Sequence, residues 1–411
     1  MGSAPDTIVV YGTTWCPDCR RAKQFLGDQR VRYTFVNIEQ DAEAMAYVER
    51  INRGMRSVPT IVFPDDDILV EPSNADLAAK LGLHTRAERS FYDVIIVGAG
   101  PAGLTAAMYA AREGLAPLVI EKSAPGGQVG TTQFLDNYPG FDKGISGEEF
   151  ARRLTSQAQR FGVEILQAQE VTGIKADGLY REVDTADGSS YRACALLIAT
   201  GSRHRRLNIP GEEALLGMSI HFCATCDGPF YKGKEVLVVG GGNSGLQEGL
   251  FLTRFASRVM IVEFLPQLQA SAVLQEKVAR RDDMEVLTNH AVQEFIVADN
   301  ALNGVKVLDR VSDQVKILRP AGVFVFTGLL PNSDFLPPGI ERDRWGFVVS
   351  GKHLETSMRG VFAAGDVRAS STKQVASAVG EGATAALMIR EFLRQDSWSH
   401  FDNHSPFFCP Y

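Results

Sequence analysis

Apolar positions along the chain fall into short continuous runs separated by longer stretches of helical spacing. Residues 7–11 read as a buried strand, and the turn Gly12-Thr13-Thr14-Trp15 follows. A helix is predicted to start near Cys16 or Pro17, because Pro suits a first helical turn, where its missing N–H would have no partner anyway. A strand at 33–38, a helix at about 41–52 and a strand at 61–63, entered through Val58-Pro59-Thr60, complete a first block. A second block opens with an apolar strand at 93–97. It runs through Gly98-Ala99-Gly100-Pro101-Ala102-Gly103 into an alanine-rich helix and reaches a strand at 118–120 that ends on Glu121. The order then recurs: strand 235–239, Gly240-Gly241-Gly242-Asn243-Ser244-Gly245 opening a helix, and strand 259–262 ending on Glu263. Glu121 follows Gly98 by 23 positions, and Glu263 follows Gly240 by the same 23. Strands alternating with helices predict an α/β protein.

At 411 residues the chain exceeds one ordinary core and is expected to form roughly two to four domains. An apolar content of 45 % and a charged content of 22 % are ordinary for globular proteins. The net charge of −7 argues against nucleic-acid binding. Apolar runs such as 195–199 are far too short to span a bilayer. Residues 1–6 lack the charged and apolar regions of a signal peptide, so the expected compartment is the cytoplasm. There, Cys-x-x-Cys points to redox work or metal binding rather than a structural staple.

Four of the six cysteines form two such pairs, Cys16-Pro17-Asp18-Cys19 and Cys223-Ala224-Thr225-Cys226. Zinc could take four thiolates, but the gap between the pairs far exceeds the roughly 12–20 residues usual in such sites, and no metal is expected. Cys16 sits at a predicted helix N-terminus, where free N–H groups and the dipole stabilise a thiolate, and its pKa should fall below the free value of about 8.5. Cys19, one turn on, is within reach to resolve a mixed disulfide. Arg20, Arg21 and Lys23 read as a solvated helix face. Cys194 lies in an apolar strand pattern and reads as an inert core residue.

Each glycine fingerprint has a mechanical reading. Gly98 permits a tight turn, Gly100 lets a pyrophosphate approach the backbone, and Gly103 lets helix meet strand. Glu121 is placed to bind ribose hydroxyls. Gly240, Gly242, Gly245 and Glu263 repeat these roles, with Asn243 and Ser244 at the helix start. A binder of a 2′-phosphate would carry Arg or Lys just after strand 259–262, and none is present. Glu263 facing a phosphate would be an unfavourable like-charge juxtaposition. NADH is therefore expected over NADPH.

The first block, with its β-α-β-α order and Val58-Pro59-Thr60, resembles the glutaredoxins, particularly their mycoredoxin-like branch. The resemblance implies that Pro59 is cis and faces a nucleophilic Cys16. Where glutathione-binding members often carry a glycine pair, this chain has Glu71-Pro72-Ser73-Asn74, which leaves glutathione open. Residues 92–395 resemble the low-molecular-weight thioredoxin reductases. That resemblance implies FAD at the first fingerprint, with further contacts from Gly127 and Gln128, Asn137, Gly365 and Asp366, and Gln374. It implies that Cys226 faces the flavin, that Cys223 is the interchange thiol, and that Asp227 manages their protons. His221 reads as structural. The motifs around Gly241–Gly245 and Glu263 are closest to the NADH-dependent flavoprotein subunit of alkyl hydroperoxide reductase. The acceptor protein stays open.

The expected fold is α/β, an N-terminal thioredoxin/glutaredoxin-like fold followed by two Rossmann-like domains for FAD and NAD(P). The expected domains are 1–82 (glutaredoxin-like), a linker at 83–91 that permits swinging, a discontinuous FAD domain at 92–207 and 331–395, an NAD domain at 208–330, and an aromatic tail at 396–411. The expected activity is a homodimeric disulfide reductase. Electrons would pass from NADH through FAD and Cys223/Cys226 to Cys16/Cys19. They would then reach an external disulfide on a peroxiredoxin, a thioredoxin-like protein or a small thiol. A flavin reductase or oxidase with vestigial dithiols, and a non-catalytic redox sensor, remain as alternatives.

Overall fold

The computed structural model describes residues 7–132, 135, 137–216, 218–222, 224–298 and 301–396. Cys223, the side chain of Cys226 and the tail with Cys409 lie outside the described residues. No described helix is long and apolar enough to cross a membrane.

The first unit contains β1 (Ile8–Gly12), α1 (Pro17–Asp28), β2 (Tyr33–Asn37), α2 (Ala42–Ile51), β3 (Thr60–Val62), β4 (Ile68–Val70) and α3 (Asn74–Lys80). Its sheet runs β2-β1-β3-β4, with β1 parallel to β2 and antiparallel to β3. Cys19, Ala22, Phe25 and Leu26 recur at helical spacing on α1 and are buried. Ala22, Phe25 and Leu26 pack with Ile8, Val10, Ile61 and Leu77 on one side of the sheet. Strand alternation sends Tyr11 to the other side, against Ala44 and Val48 of α2. Caps hold the helix starts: Asp41 accepts from the amides of Glu43 and Ala44, and Ser73 with Asp76 forms a capping box on α3.

Residues 84–90 do not form a free tether. The His84 carbonyl accepts from the Gln167 amide (2.8 Å), and the Ser90 carbonyl from that of Arg192 (2.9 Å). The Glu164 carboxylate gathers His84 Nε2, the Glu88 amide and the Tyr92 hydroxyl at 2.9, 2.8 and 2.5 Å. Burial alone would raise the Glu164 pKa, but these hydrogen bonds from Tyr92, His84 and Glu88 hold it below the usual range. Swinging would cost these contacts.

The second unit begins with β5 (Phe91–Val97), α4 (Pro101–Arg112), β6 (Pro117–Ile120), α5 (Gly147–Arg160), β7 (Glu164–Leu166), β8 (Val171–Asp177), β9 (Tyr180–Thr185) and β10 (Ser190–Ile198). Strands β7-β6-β5-β10 are parallel, and β9 and β8 extend the sheet antiparallel. Continuous burial of β5, β6 and β10 is what a parallel sheet covered on both faces requires. Cys194, expected as an inert core residue, is buried on β10 and disulfide-bonded.

The chain leaves this unit through β11 (Ser202–His204) and enters a third. That unit contains α6 (Glu212–Leu215), β12 (Ile220–His221), α7 (Ala224–Asp227), β13 (Glu235–Val239), α8 (Asn243–Leu252), β14 (Arg258–Val262), α9 (Ala272–Ala279), β15 (Met284–Leu287), the antiparallel β16 (His290–Ala298), β17 (Ala301–Asp309) and β18 (Val315–Leu318), and β19 (Gly322–Val325). Its parallel sheet runs β12-β19-β13-β14-β15. The chain returns through β20 (Leu329–Pro331), antiparallel to β11. Thr200 Oγ1 donates to the Asn332 carbonyl (2.7 Å), and Asn332 Nδ2 donates to the Thr200 carbonyl (2.8 Å), so the two crossing segments are tied. The second unit then closes with β21 (Val361–Ala363) beside β10 and with α10 (Val375–Asp396) against α4.

Candidate functional site

The first dithiol lies at the start of α1. Cys16 is the N-cap, and its sulfur accepts from the Cys19 amide at 3.1 Å. The Cys16 thiol also donates to the Val58 carbonyl at 3.6 Å, which brings the Val58-Pro59 peptide to the site. That peptide is cis. Both thiols are free, with Cys16 5 % exposed and Cys19 fully buried. Burial, and then the hydrogen bond with Cys16, push the Cys19 thiol up to about 12. The inner cysteine is thus held as a thiol. Of the cations expected on a solvated face, Arg21 is committed to Asp18, Asn74 and the Pro72 carbonyl, and Lys23 lies over the Phe35 ring.

The two glycine fingerprints fold almost identically. Gly98 and Gly240 have φ of 103° and 116°, values that favour glycine. A Cβ on Gly103 would lie 1.9 Å from the Gly98 carbonyl oxygen, and one on Gly245 would lie 1.8 Å from that of Gly240. Gly100 and Gly242 are the N-caps of α4 and α8, and neither helix has a side-chain cap. The first-turn amides are left for a ligand's oxygens. Each carboxylate at the end of the second strand turns back onto its own loop. Glu121 accepts from Ala99 N (2.7 Å) and Ser123 N (2.8 Å). Glu263 accepts from the amides of Gly241 and Leu265. Asn243 Oδ1 accepts from the Ser271 amide (2.7 Å), while Ser244 is exposed.

Around the first fingerprint, remote residues converge. Gly127 packs on Gly100 so closely that a Cβ would stand 3.1 Å from the Gly100 Cα. Gln128 Nε2 donates to the Ser202 carbonyl. Asn137 Nδ2 donates to Gln374 Oε1 (3.0 Å), although the two are far apart in sequence. Gly365, at φ 77°, is fixed by its amide on Glu381, which also pairs with Arg368. Its neighbour Asp366 has no hydrogen bond to its carboxylate among the described residues, and burial pushes its pKa above the usual range, against the pull of Lys373. A narrow glycine cradle, with a buried carboxylate one residue from the glycine that packs on Ala102, fits a dinucleotide that brings hydroxyl donors.

Of the second dithiol, Cys226 lies on α7, which packs on α8. Asp227 is partly exposed and meets His221 Nδ1 at 3.2 Å. His221 is 5 % exposed, and its Nε2 meets the Tyr231 hydroxyl at 2.7 Å. Burial and Asp227 push the Tyr231 pKa up to about 12. His221, read from sequence as structural, thus links the expected acid to a buried phenol. Three further groups were not singled out from sequence. Glu248 on α8 has no polar partner among the described residues, and burial pushes it up to about 6. The Arg310 guanidinium stacks 3.7 Å from the Phe264 ring centroid. Arg30 reaches from the first unit into the loop beside Gly127. Arg310 and Arg30 lie far from their partners in sequence, so only the fold could reveal them.

Residues 92–382 match the family model of the pyridine nucleotide-disulphide oxidoreductases, and residues 8–68 match that of glutaredoxin. The thioredoxin reductase of Listeria monocytogenes is 40 % identical over 311 residues, 75 % of this chain and 96 % of that protein. A protein of Ferdinandcohnia aciditolerans named NADH dehydrogenase is 31 % identical over 386 residues, 92 % of this chain and 72 % of that protein. The crystal structure of Lactococcus lactis thioredoxin reductase (FR conformation) is similar at a TM-score of 0.70 and 36 % identity, covering 74 % of this chain and 99 % of that one.

Proposed function

The chain belongs to the pyridine nucleotide-disulphide oxidoreductase family, as an NAD(P)H-dependent FAD disulfide oxidoreductase of thioredoxin-reductase type with a glutaredoxin domain, and from that premise we propose that it relays electron pairs through two internal dithiols to a disulfide on another protein. The observation that carries the proposal is Cys16. A free thiol caps α1 beside the cis-Pro59 peptide, in the same chain as a complete reductase fold.

Gly98, Gly100, Gly103, Glu121, Gly127, Gln128, Asn137, Gly365, Asp366 and Gln374 hold FAD in this reading. Bound there, FAD would supply the two-electron chemistry that links hydride donation by the nicotinamide to disulfide reduction. Gly240, Gly242, Asn243, Ser244, Gly245 and Glu263 hold the nicotinamide nucleotide. Cys226 and Cys223 receive the pair as two thiols. Asp227, oriented by His221 and Tyr231, gives and takes their protons. The Cys223 thiolate then attacks the Cys16–Cys19 disulfide. A mixed disulfide forms, one first-domain cysteine leaves as thiolate, and Cys226 closes the Cys223–Cys226 bond. Reduced Cys16 repeats the exchange on the external disulfide, and Cys19 resolves it. Thioredoxin couples near −270 mV and glutaredoxin couples at about −200 to −230 mV make such a transfer downhill by roughly 2–3 kcal/mol.

The proposed donor is NADH. Glu263 closes on its own loop, Phe264 follows it 54 % exposed, and a relative spanning 92 % of the chain is named an NADH dehydrogenase. Arg310 favours the other reading, since it brings a cation to this edge that the sequence spacing did not show. Its guanidinium is spent on the Phe264 ring and carbonyl. A cytoplasmic homodimer completes the proposal. The test is Cys16→Ser. Reduction of protein disulfides should be abolished, while anaerobic NADH still bleaches the flavin and still yields the Cys223/Cys226 thiols. A variant that reduces the acceptor at full rate removes the first domain from the relay.

A further inference from the structure

Arg30 follows the C-terminus of α1 in the left-handed conformation, with φ 55°. Glycine is the usual residue there, and a side chain costs roughly 1–2 kcal/mol. Among the described residues of the first domain nothing accounts for that choice, because the guanidinium makes no hydrogen bond to any of them. It crosses instead to the loop after Glu121. Nη1 donates to the Pro125 carbonyl at 2.8 Å, and Nη2 donates to the Gly127 carbonyl at 2.5 Å. Two neighbours strengthen the junction: Gln29 Nε2 donates to the Lys122 carbonyl (3.2 Å), and the Ala124 amide donates to the Asp28 carbonyl (3.0 Å).

The loop is shaped to receive it. A Cβ on Gly130 would lie 2.0 Å from Nη1, and one on Gly126 would lie 3.2 Å from it. On its other side the same loop packs against Gly100, the glycine that admits the pyrophosphate. Residues 125–130 are therefore sandwiched between the first-domain guanidinium and the dinucleotide cradle. Burial works against the charge of Arg30, with Glu121 and Glu148 supporting it from nearby.

We propose that Arg30 is a positioning residue for the flavin: docking of the glutaredoxin domain clamps loop 125–130 in the shape that retains FAD, so that FAD loading and domain docking stabilise each other. This rests on the reading of the first fingerprint as the FAD site. Linkage makes the coupling reciprocal: whatever docking adds to FAD affinity, FAD adds to docking. The anchor lies at the far end of α1 from Cys16, roughly 18 Å away along a twelve-residue helix. The clamp therefore leaves the dithiol end of the helix unengaged.

The test uses full-length apoprotein of wild type, Arg30→Ala and Arg30→Lys, titrated with FAD by flavin fluorescence. Hydrogen exchange is followed in 28–30 and 122–130, and far-ultraviolet circular dichroism confirms folding. Arg30→Ala should bind FAD about tenfold more weakly, which is about 1.4 kcal/mol. Arg30→Lys, which lacks the two-pronged geometry, should recover only part of this. In wild type, adding FAD should slow exchange at 28–30, across the domain boundary. Equal FAD affinity in wild type and Arg30→Ala, or exchange at 28–30 indifferent to FAD, overturns the inference even if the variant melts earlier. A wild-type chain that binds no FAD overturns the reductase reading along with it.

Discussion

The two proposed nucleotide sites share one backbone design and differ in what lies over it. At both, a left-handed glycine, a Cβ-free helix start and a returning carboxylate make the same turn, and the third glycine of each meets the first one's carbonyl oxygen at nearly the same Cβ clearance, 1.9 and 1.8 Å. Over the first, loop 125–130 and Arg30 close one side, and Gly365, from the far end of the chain, packs so closely that a Cβ on it would meet Ala102 at 3.0 Å. Over the second, Phe264 and Leu265 stand 54 % and 40 % exposed, with Arg310 stacked on the former. A cofactor that stays needs cover, and one that must leave each turnover needs a door. The fingerprint therefore encodes how to hold a diphosphate, whereas residence time is encoded by parts of the chain that the fingerprint does not contain.

The strongest way to break that comparison is to fill each turn with one methyl group. Gly103→Ala and Gly245→Ala make the same clash, against a carbonyl oxygen at 1.9 or 1.8 Å. Gly103→Ala should yield protein with little or no flavin. Gly245→Ala should stay yellow but lose at least 100-fold in kcat/KM for the nicotinamide nucleotide, with disulfide reduction falling in step. Absorbance spectra and stopped-flow flavin bleaching check both. If the two variants lose the same function, the sites are not divided as described.

A smaller effect sharpens the difference between the open and the covered site. Arg310→Ala removes the cation over Phe264. If NADH is the donor, kcat/KM for NADH should change less than about threefold, and the NADH:NADPH ratio should hold or rise. A selective loss of NADPH activity of tenfold or more would instead assign Arg310 to a 2′-phosphate, in the range of a charge-assisted hydrogen bond of about 1.5–3 kcal/mol.

Much of this arrangement was legible before any fold was known, and the reason is locality. The strand–glycine–helix–strand–Glu units lie within short stretches of chain, so their periodicity and turn residues carry them. Cys16 as cap of α1 likewise follows from Cys-Pro-x-Cys alone. What could not be read is what the fold brings together from afar. Arg30 meets Gly127, Arg310 meets Phe264, and Glu164 gathers the segment read as a swinging linker. The Arg30 conformation left a trace, a non-glycine where α1 should end in one, but only the docked loop explains it. From sequence His221 reads as structural, as a lone histidine in a strand-like segment usually is. Its partners, Asp227 and Tyr231, lie six and ten positions on and are joined to it by a helical turn rather than by a recognised spacing.

The smallest expected effect concerns Glu248, which has no counterpart under the FAD site. It lies one helical turn before Leu252, whose side chain would meet a Cβ on Gly228 at 3.0 Å, so its face of α8 is the one toward the dithiol segment. Burial without a partner raises its folded pKa to about 6, against roughly 4.3 in an unfolded chain. Between those values the folded protein binds the extra proton, so stability falls as pH rises and the full penalty is present above about pH 7. At 1.36 kcal/mol per unit, discounted for partial exposure, the penalty is about 1–2 kcal/mol. Glu248→Gln keeps the shape and removes the charge. Its apparent melting temperature should match wild type near pH 4.5 and exceed it by a few degrees at pH 8. A gap independent of pH would mean that the carboxylate is not the source of the strain. A variant less stable at pH 8 would mean that it has a cationic or hydrogen-bonding partner, and the nicotinamide site would then be covered on this side as well.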